Sequence, residues 1–154
     1  MPIPGPVLGL DFGERRIGVA LSDAERMIAT GLLTIDRKKQ PDAFATLGEL
    51  IAKKKATAIV VGYPLRTDGV EKAGAKTEAV DAFVTELKER FGLPVYLEDE
   101  AFTSSMAADS LRGRRSASKR PKGPKDWARE KGEIDRVAVC YILQDWLDRG
   151  GGTP

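Results

Sequence analysis

Val7-Leu8-Gly9-Leu10-Asp11-Phe12-Gly13 decides how the chain is read. A short apolar run carries one carboxylate near its end and breaks at a glycine. Glu14-Arg15-Arg16 follow, and Ile17-Gly18-Val19-Ala20-Leu21-Ser22 resumes the apolar pattern. This is a strand, a tight turn and a returning strand, with Asp11 at the rim. A carboxylate at the edge of a core is costly unless it is paired or bound to a cation. An isolated Asp-x-Gly is accounted for by a side chain that bonds turn amides. Here, two further acidic sites in comparable settings ask for more than that.

Working outward, Ala29 to Ile35 reads as a third strand that completes an antiparallel meander. Pro41-Asp42 opens a helix with Phe44, Leu47, Leu50 and Ile51 at helical spacing; it finishes in Lys53-Lys54-Lys55, whose charges suit a helix C-terminus. Ala58 to Gly62 is a continuous apolar run, the pattern of a strand buried on both faces. The loop after it, Tyr63 to Gly69, would lie at a carboxyl end of the sheet, where ligand sites of α/β folds gather. From Thr77 a helix sets Val80, Phe83, Val84, Leu87 and Phe91 on one face and stops at Gly92. Pro94 to Glu100 is the next strand and ends in three acids. Thr103 or Ser104 then caps a short helix to Leu111, and a last helix runs from about Ile134 to Asp148 with Val137, Ala138, Ile142, Leu143 and Trp146 facing in. This order predicts an α/β domain over residues 1–150 with a mixed five-stranded sheet flanked by helices. A flexible basic loop at about 112–126 and a disordered tail at 151–154 complete it.

A length of 154 residues with 42% hydrophobic and 31% charged side chains suits one soluble domain with a proper core. No stretch approaches a membrane span. Met1 to Pro6 lacks the basic segment of a signal peptide, and one cysteine, Cys140, cannot close an internal disulfide; both suit a cytoplasmic protein. The chain has no histidine. That excludes Ser-His-Asp and Cys-His nucleophilic pairs, HExxH zinc sites and a histidine general base. Acid–base or metal chemistry must rest on carboxylates, lysine, tyrosine or water, and oxygen-only ligands select hard cations.

The net charge of +2 hides an asymmetry. Arg112, Arg114, Arg115, Lys119, Arg120, Lys122, Lys125, Arg129 and Lys131 face only Asp126 and Glu130 in that stretch, so this segment carries +7 and the remainder −5. A lone charge run is ordinarily a solvated loop. Nine cations placed between two acidic sites point instead to a polyanionic partner, with phosphate contacts that position a nucleic acid without reading its sequence. Trp127 within the segment has two open roles, stacking on a base or pinning the loop to the core.

The acids stand at element ends: Asp11 in the first strand, Glu98-Asp99-Glu100 in the last, and Asp135 at the start of the final helix, where a capping role is its plain alternative. If the first and fourth strands are neighbours, Asp11 and the 98–100 cluster share one end of the sheet, with Glu98 and Glu100 on one face and Asp99 on the other. Converging carboxylates repel one another unless cations neutralise them. Two Mg2+ or Mn2+ ions would do so, and a two-metal centre suits in-line attack of water on a phosphodiester.

Leu8-Gly9-Leu10-Asp11-Phe12-Gly13 with Ile17-Gly18-Val19-Ala20, Ile59-Val60-Val61-Gly62-Tyr63-Pro64-Leu65 with Asp68-Gly69, Asp99-Glu100 with Thr103, and Lys131-Gly132-Glu133-Ile134-Asp135 with Ala138 and Ile142-Leu143 resemble the YqgF/RuvX family. The four motifs stand in the family's order and span nearly the whole chain. The resemblance implies an RNase H-like fold. It also implies a nuclease, once described as a Holliday-junction resolvase and now usually as an enzyme maturing the 5′ end of precursor 16S ribosomal RNA. Carried over, the acidic triad is Asp11, Glu100 and Asp135, with Glu98 a competitor for the middle place because it shares a strand face with Glu100. Gly13, Arg15 or Arg16, the Gly62 to Leu65 turn, Thr103 and Lys131 would line the substrate path. Where the family reads Asp-Glu-Arg this chain has Asp99-Glu100-Ala101, so an arginine able to grip a phosphate bidentately is absent, and Arg112, Arg114 and Arg115 are candidates to replace it.

The expectation is therefore a nuclease acting on nucleic acid, RNA ahead of DNA, as a monomer or homodimer. The alternatives are a Holliday junction resolvase acting on DNA and an inactive nucleic-acid-binding module. A nucleotide phosphotransferase of the actin-like kind shares the Asp-x-Gly strand, but it needs two such domains, and this chain has no GxxxxGK[ST] loop.

Overall fold

The structure is a computed structural model that describes residues 3–13, 15–63, 70–99 and 124–150, and of residues 70–77, 99 and 124–135 the backbone alone. Five strands and three helices are described: β1 (Val7–Phe12), β2 (Arg16–Ser22), β3 (Ala29–Asp36), α1 (Ala43–Lys54), β4 (Ala58–Tyr63), α2 (Val70–Phe91), β5 (Val95–Asp99) and α3 (Pro124–Asp148). The strands form one sheet in the order β3-β2-β1-β4-β5. β1 and β2 are antiparallel, as are β2 and β3, which is the expected meander. β1 pairs with β4 and β4 with β5 in parallel, so the sheet is mixed and the first and fourth strands are neighbours.

Strand alternation divides the core in two. Leu8, Leu10 and Phe12 of β1, Ile59 and Val61 of β4, and Val95 of β5 pack with α1 and α2. Val7 of β1, Ala58 and Val60 of β4, and Tyr96 of β5 pack instead with Val139, Ile142, Leu143 and Trp146 of α3. β1 is buried on both faces because helices cover both, which is why its sequence is apolar without a break as far as Asp11.

The helices begin and end where local chemistry dictates. The Asp42 side chain accepts the Ala45 amide at the start of α1, and Lys55 ends it in a left-handed conformation with φ of 58°. Gly92, at φ of 65°, stops α2 with its amide on the Lys88 carbonyl at 3.0 Å. Two starts differ from the sequence reading. α2 begins at Val70 rather than Thr77, and α3 at Pro124 rather than about Ile134. In both cases the added turns lack apolar periodicity and are carried by helix formers such as Glu71, Lys72, Ala73, Ala128, Arg129 and Glu130, with Pro124 suited to a first helical position. The three residues 124–126 of the expected loop are thus helical, while residues 112–123, the short helix to Leu111 and the 151–154 tail lie outside the described residues. Among the described residues, no helix is long and apolar enough to cross a membrane.

α3 lies close on the sheet because the residues beneath it are small. A Cβ on Gly9 would stand 3.0 Å from Leu143 Cβ, and one on Gly31 would stand 3.2 Å from Cys140 Sγ. Burial pushes the Cys140 thiol above its ordinary pKa, so it packs there as a small apolar group. A Gly9→Val substitution is expected to lower the free energy of unfolding by about 1–3 kcal/mol through overlap with Leu143. Urea titration checks this, and a Gly9→Val/Leu143→Ala pair should lose less than the sum of its single variants.

Candidate active site

Asp11 is half-buried and is the last residue of β1 before Phe12 closes the strand. By alternation it belongs to the row of Val7 and Gly9, on the face covered by α3. Its neighbour across the antiparallel ladder is Gly18. On the parallel side Leu10 pairs with Val61, so the next step of the register sets Gly62 beside Asp11, and Gly62 in turn pairs with Glu98. Asp11 therefore lies between two glycines, with no Cβ beside it in either neighbouring strand. Glu98 stands two strand spacings away, about 10 Å between Cα atoms.

β1, β4 and β5 are parallel, so Asp11, Gly62 and Glu98 all stand at carboxyl ends of strands, where α/β folds place their sites. Glu98 is 3% exposed, and its carboxylate is ion-paired with Arg149, just beyond the end of α3. A carboxylate so buried needs that partner.

The turn after Asp11 is fixed by close backbone contact. The Gly13 amide donates to the Arg16 carbonyl at 2.9 Å, and a Cβ on Gly13 would meet that same oxygen at 2.6 Å, so only glycine fits. Arg37, which sequence reasoning missed, completes the turn. Its Nη1 donates to the Gly13 carbonyl at 3.1 Å, and its guanidinium lies 4.8 Å from the Phe12 ring centroid. The β2–β3 register, which pairs Arg16 with Asp36, brings Arg37 opposite Arg15, a placement that no sequence pattern announces.

Asp135 falls deep inside α3 and not at its start, so the capping role fails. Gln144 of α3 lies at Ala29 of β3, whose amide it accepts at 2.9 Å, while Cys140 and Arg136 lie at Gly31, further along the strand. Thr34, Gly18 and Asp11 form the row beyond Gly31. The α3 backbone thus approaches the Asp11 row as it is followed back through Arg136 to Asp135.

Of the remaining expected site residues, Arg15 is exposed with its Nη2 3.8 Å from Asp36 Oδ2, and Arg16 is half-buried in β2. Burial works to raise the Asp36 carboxyl, but the Lys38 amide and the Arg15 guanidinium outweigh it, so the pKa is held below the ordinary value. Lys125 and Lys131 lie on the α3 backbone, whereas Glu100, Arg112, Arg114, Arg115, Lys119, Arg120 and Lys122 lie outside the described residues. Among the described residues no three acids converge closely enough to hold a metal ion. The donor chemistry is still that of a hard cation, since Asp11 and the acids expected to join it offer only oxygen.

Known proteins match this chain over nearly its whole length. The family model described as "RuvX: Holliday junction resolvase" matches residues 5–149. A Koribacter versatilis protein named "Putative pre-16S rRNA nuclease" is 38% identical over 97% of this chain and 90% of its own. A Chloroflexus aggregans protein of the same name is 41% identical over 92% of each chain. Among solved structures, T. thermophilus RuvC in complex with a Holliday junction substrate superposes with a TM-score of 0.56 at 16% identity, over 95% of this chain and 96% of that one. The Fowlpox virus resolvase in complex with junction DNA gives a TM-score of 0.54 at 9% identity, over 94% and 97%. The fold is accordingly RNase H-like.

The buried carboxylate of Glu98 makes Arg149 a structural residue although its own side chain is 63% exposed. Arg149→Gln should cost about 1–3 kcal/mol, the penalty for a buried acceptor that loses its partner and regains some water. A urea midpoint equal to that of the wild type would show that the pair contributes nothing.

Proposed function

We propose that this chain, which belongs to the RuvX family of nucleases, is a divalent-metal-dependent enzyme that hydrolyses RNA phosphodiesters and matures the 5′ end of precursor 16S ribosomal RNA. The choice of RNA is supported by the name its relatives carry. The observation that carries the reading is the place of Asp11, at a carboxyl end, between Gly18 and Gly62, in one row with Glu98.

Asp11, Glu100 and Asp135 are the proposed ligands of Mg2+ or Mn2+, whose preference is for oxygen donors. Bound there, such an ion lowers the pKa of a water and neutralises the charge that grows on the phosphate. Glu98, already paired with Arg149, takes the supporting place and leaves the middle ligand position to Glu100. Arg15, Arg16 and the basic residues Arg112, Arg114, Arg115, Lys119, Arg120, Lys122, Lys125 and Lys131 would draw in and orient the phosphates of the strand. As the oxygen of water bonds to phosphorus, the bond to the 3′ oxygen breaks. The water's proton leaves to solvent and the departing oxygen gains one, which gives 5′-phosphate and 3′-hydroxyl ends. Neither the 2′-hydroxyl nor a histidine is needed, which agrees with a chain that has none.

Junction resolution is the second reading, and the family's own description favours it. It requires two sites related by the symmetry of a dimer. Cleavage of end-labelled single-stranded RNA, single-stranded DNA and a four-way junction, with Mn2+, Mg2+ or EDTA, separates the readings. RNA cutting is expected only with metal, and Asp11→Asn should reduce it by at least about 100-fold. Paired cuts confined to the junction would move the assignment to resolvase; RNA binding with no cleavage of any substrate would leave a binding module.

A further inference from the structure

The β1–β2 turn borders a depression that no catalytic role accounts for. It has a volume of about 550 Å³ and is lined by Arg15, Arg37, Lys38 and Pro41. We propose that this depression is a second phosphate-binding subsite, which takes the sugar–phosphate backbone of the nucleic-acid strand where it leaves Asp11 on the β3 side of the sheet. The identity of the ligand as a nucleic-acid strand rests on the nuclease reading; the site itself rests on the geometry below.

The cations here are held in place by the fold. Arg37 is fixed at both ends: its amide donates to the Arg15 carbonyl at 2.7 Å, and its guanidinium is bonded to Gly13 and lies over Phe12. An arginine whose planar fork is pre-organised loses less entropy when it binds an anion. Lys38 is exposed, and its backbone amide donates to Asp36 Oδ1 at 3.0 Å. The Lys39 and Gln40 amides donate to the Asp36 carbonyl at 3.1 and 2.8 Å, which shapes the tight turn that presents Lys38. Asp36 faces Arg15, and Glu86 shares a neighbouring depression with Arg37; Arg15, Arg37 and Lys38 outnumber these two carboxylates, so the balance stays positive. Asp42, the next acid, spends its side chain on the Ala45 amide at 3.3 Å.

The location gives the cluster its use. Phe12 points to the α1 and α2 side of the sheet and Arg37 lies over it, whereas Asp11 belongs to the α3 side. A strand with its scissile phosphate at Asp11 must cross the rim of the sheet over the Gly13 turn. The phosphates just past that crossing meet Arg15, Arg37 and Lys38. Glu98 and β5 lie on the opposite flank of Asp11, so these cations extend the path in the other direction.

The test is the salt dependence of binding. Fluorescence anisotropy of a labelled single-stranded RNA of about 20 nucleotides, in EDTA so that nothing is cut, gives the slope of log Kd against log[KCl] at about 0.7 per phosphate contact. Arg37→Gln/Lys38→Gln should lower that slope by about 1.4, and Lys38→Gln alone, which leaves the Gly13 turn intact, by about 0.7. Lys53→Gln/Lys54→Gln, at the far end of α1, should leave it unchanged. An unchanged slope in the first two variants, or an equal fall in the third, would overturn the subsite. Inorganic phosphate that displaces the RNA at equal phosphate concentration would also overturn it, since the site would then prefer a free anion to a strand. Cleavage by the wild type with Mn2+ is scored separately. A fall in slope without cleavage would remove the nuclease reading and leave the subsite standing, and cleavage with no change in slope would do the reverse.

Discussion

The parallel pairing of β1 with β4 is the constraint on which the rest of the molecule depends. It puts a strand buried on both faces at the centre of the sheet, so that helices must cover both of its faces. It also fixes the register that sets Asp11 beside Gly62 and, through β4, level with Glu98. Had the first and fourth strands been separated by another, Asp11 and Glu98 would stand a further strand spacing apart. Hydrophobic burial stabilises the pairing, and the polar row rides on it at the one end of the strands where the helices give way to turns.

Much of this was legible because alternation and continuous apolar runs are strong signals. Val7 to Leu10 read as a strand and Ala58 to Val61 as a strand buried on both faces; both are strands, and the structure buries each on both faces. The meander and the mixed sheet followed from turn chemistry at Gly13 and from the helical spacing between Phe44 and Ile51. What escaped were segments whose structure owes nothing to apolar period. The first turns of α2 and α3 carry charged helix formers, so their amphipathic signal starts late and the predicted boundaries started late with it. That error mattered for Asp135, since a cap at a helix start and a residue deep in a helix have different uses.

The candidate site was legible in its chemistry and less so in its surroundings. Asp11 stood out because a lone carboxylate in an apolar strand has few innocent explanations. Glu98 could not be separated from Glu100 by alternation, since the two share a face; the structure describes Glu98, buried and paired with Arg149, while Glu100 lies outside the described residues. Arg37 was invisible because its meaning depends on a partner far away in sequence, the Gly13 carbonyl. In the sequence it is one of three successive cations before a proline.

α3 joins two regions that differ in character. Its C-terminal half is bolted to the sheet by Leu143 over Gly9 and by Trp146 against Tyr96, and further back Arg136 lies at Gly31 with Asp135 next to it on the helix backbone. The helix is therefore seated on the core along the stretch that follows Asp135. Packing at Gly9, Gly31 and Cys140 thus sets how closely the α3 backbone lies on the sheet, and with it the backbone position from which Asp135 extends.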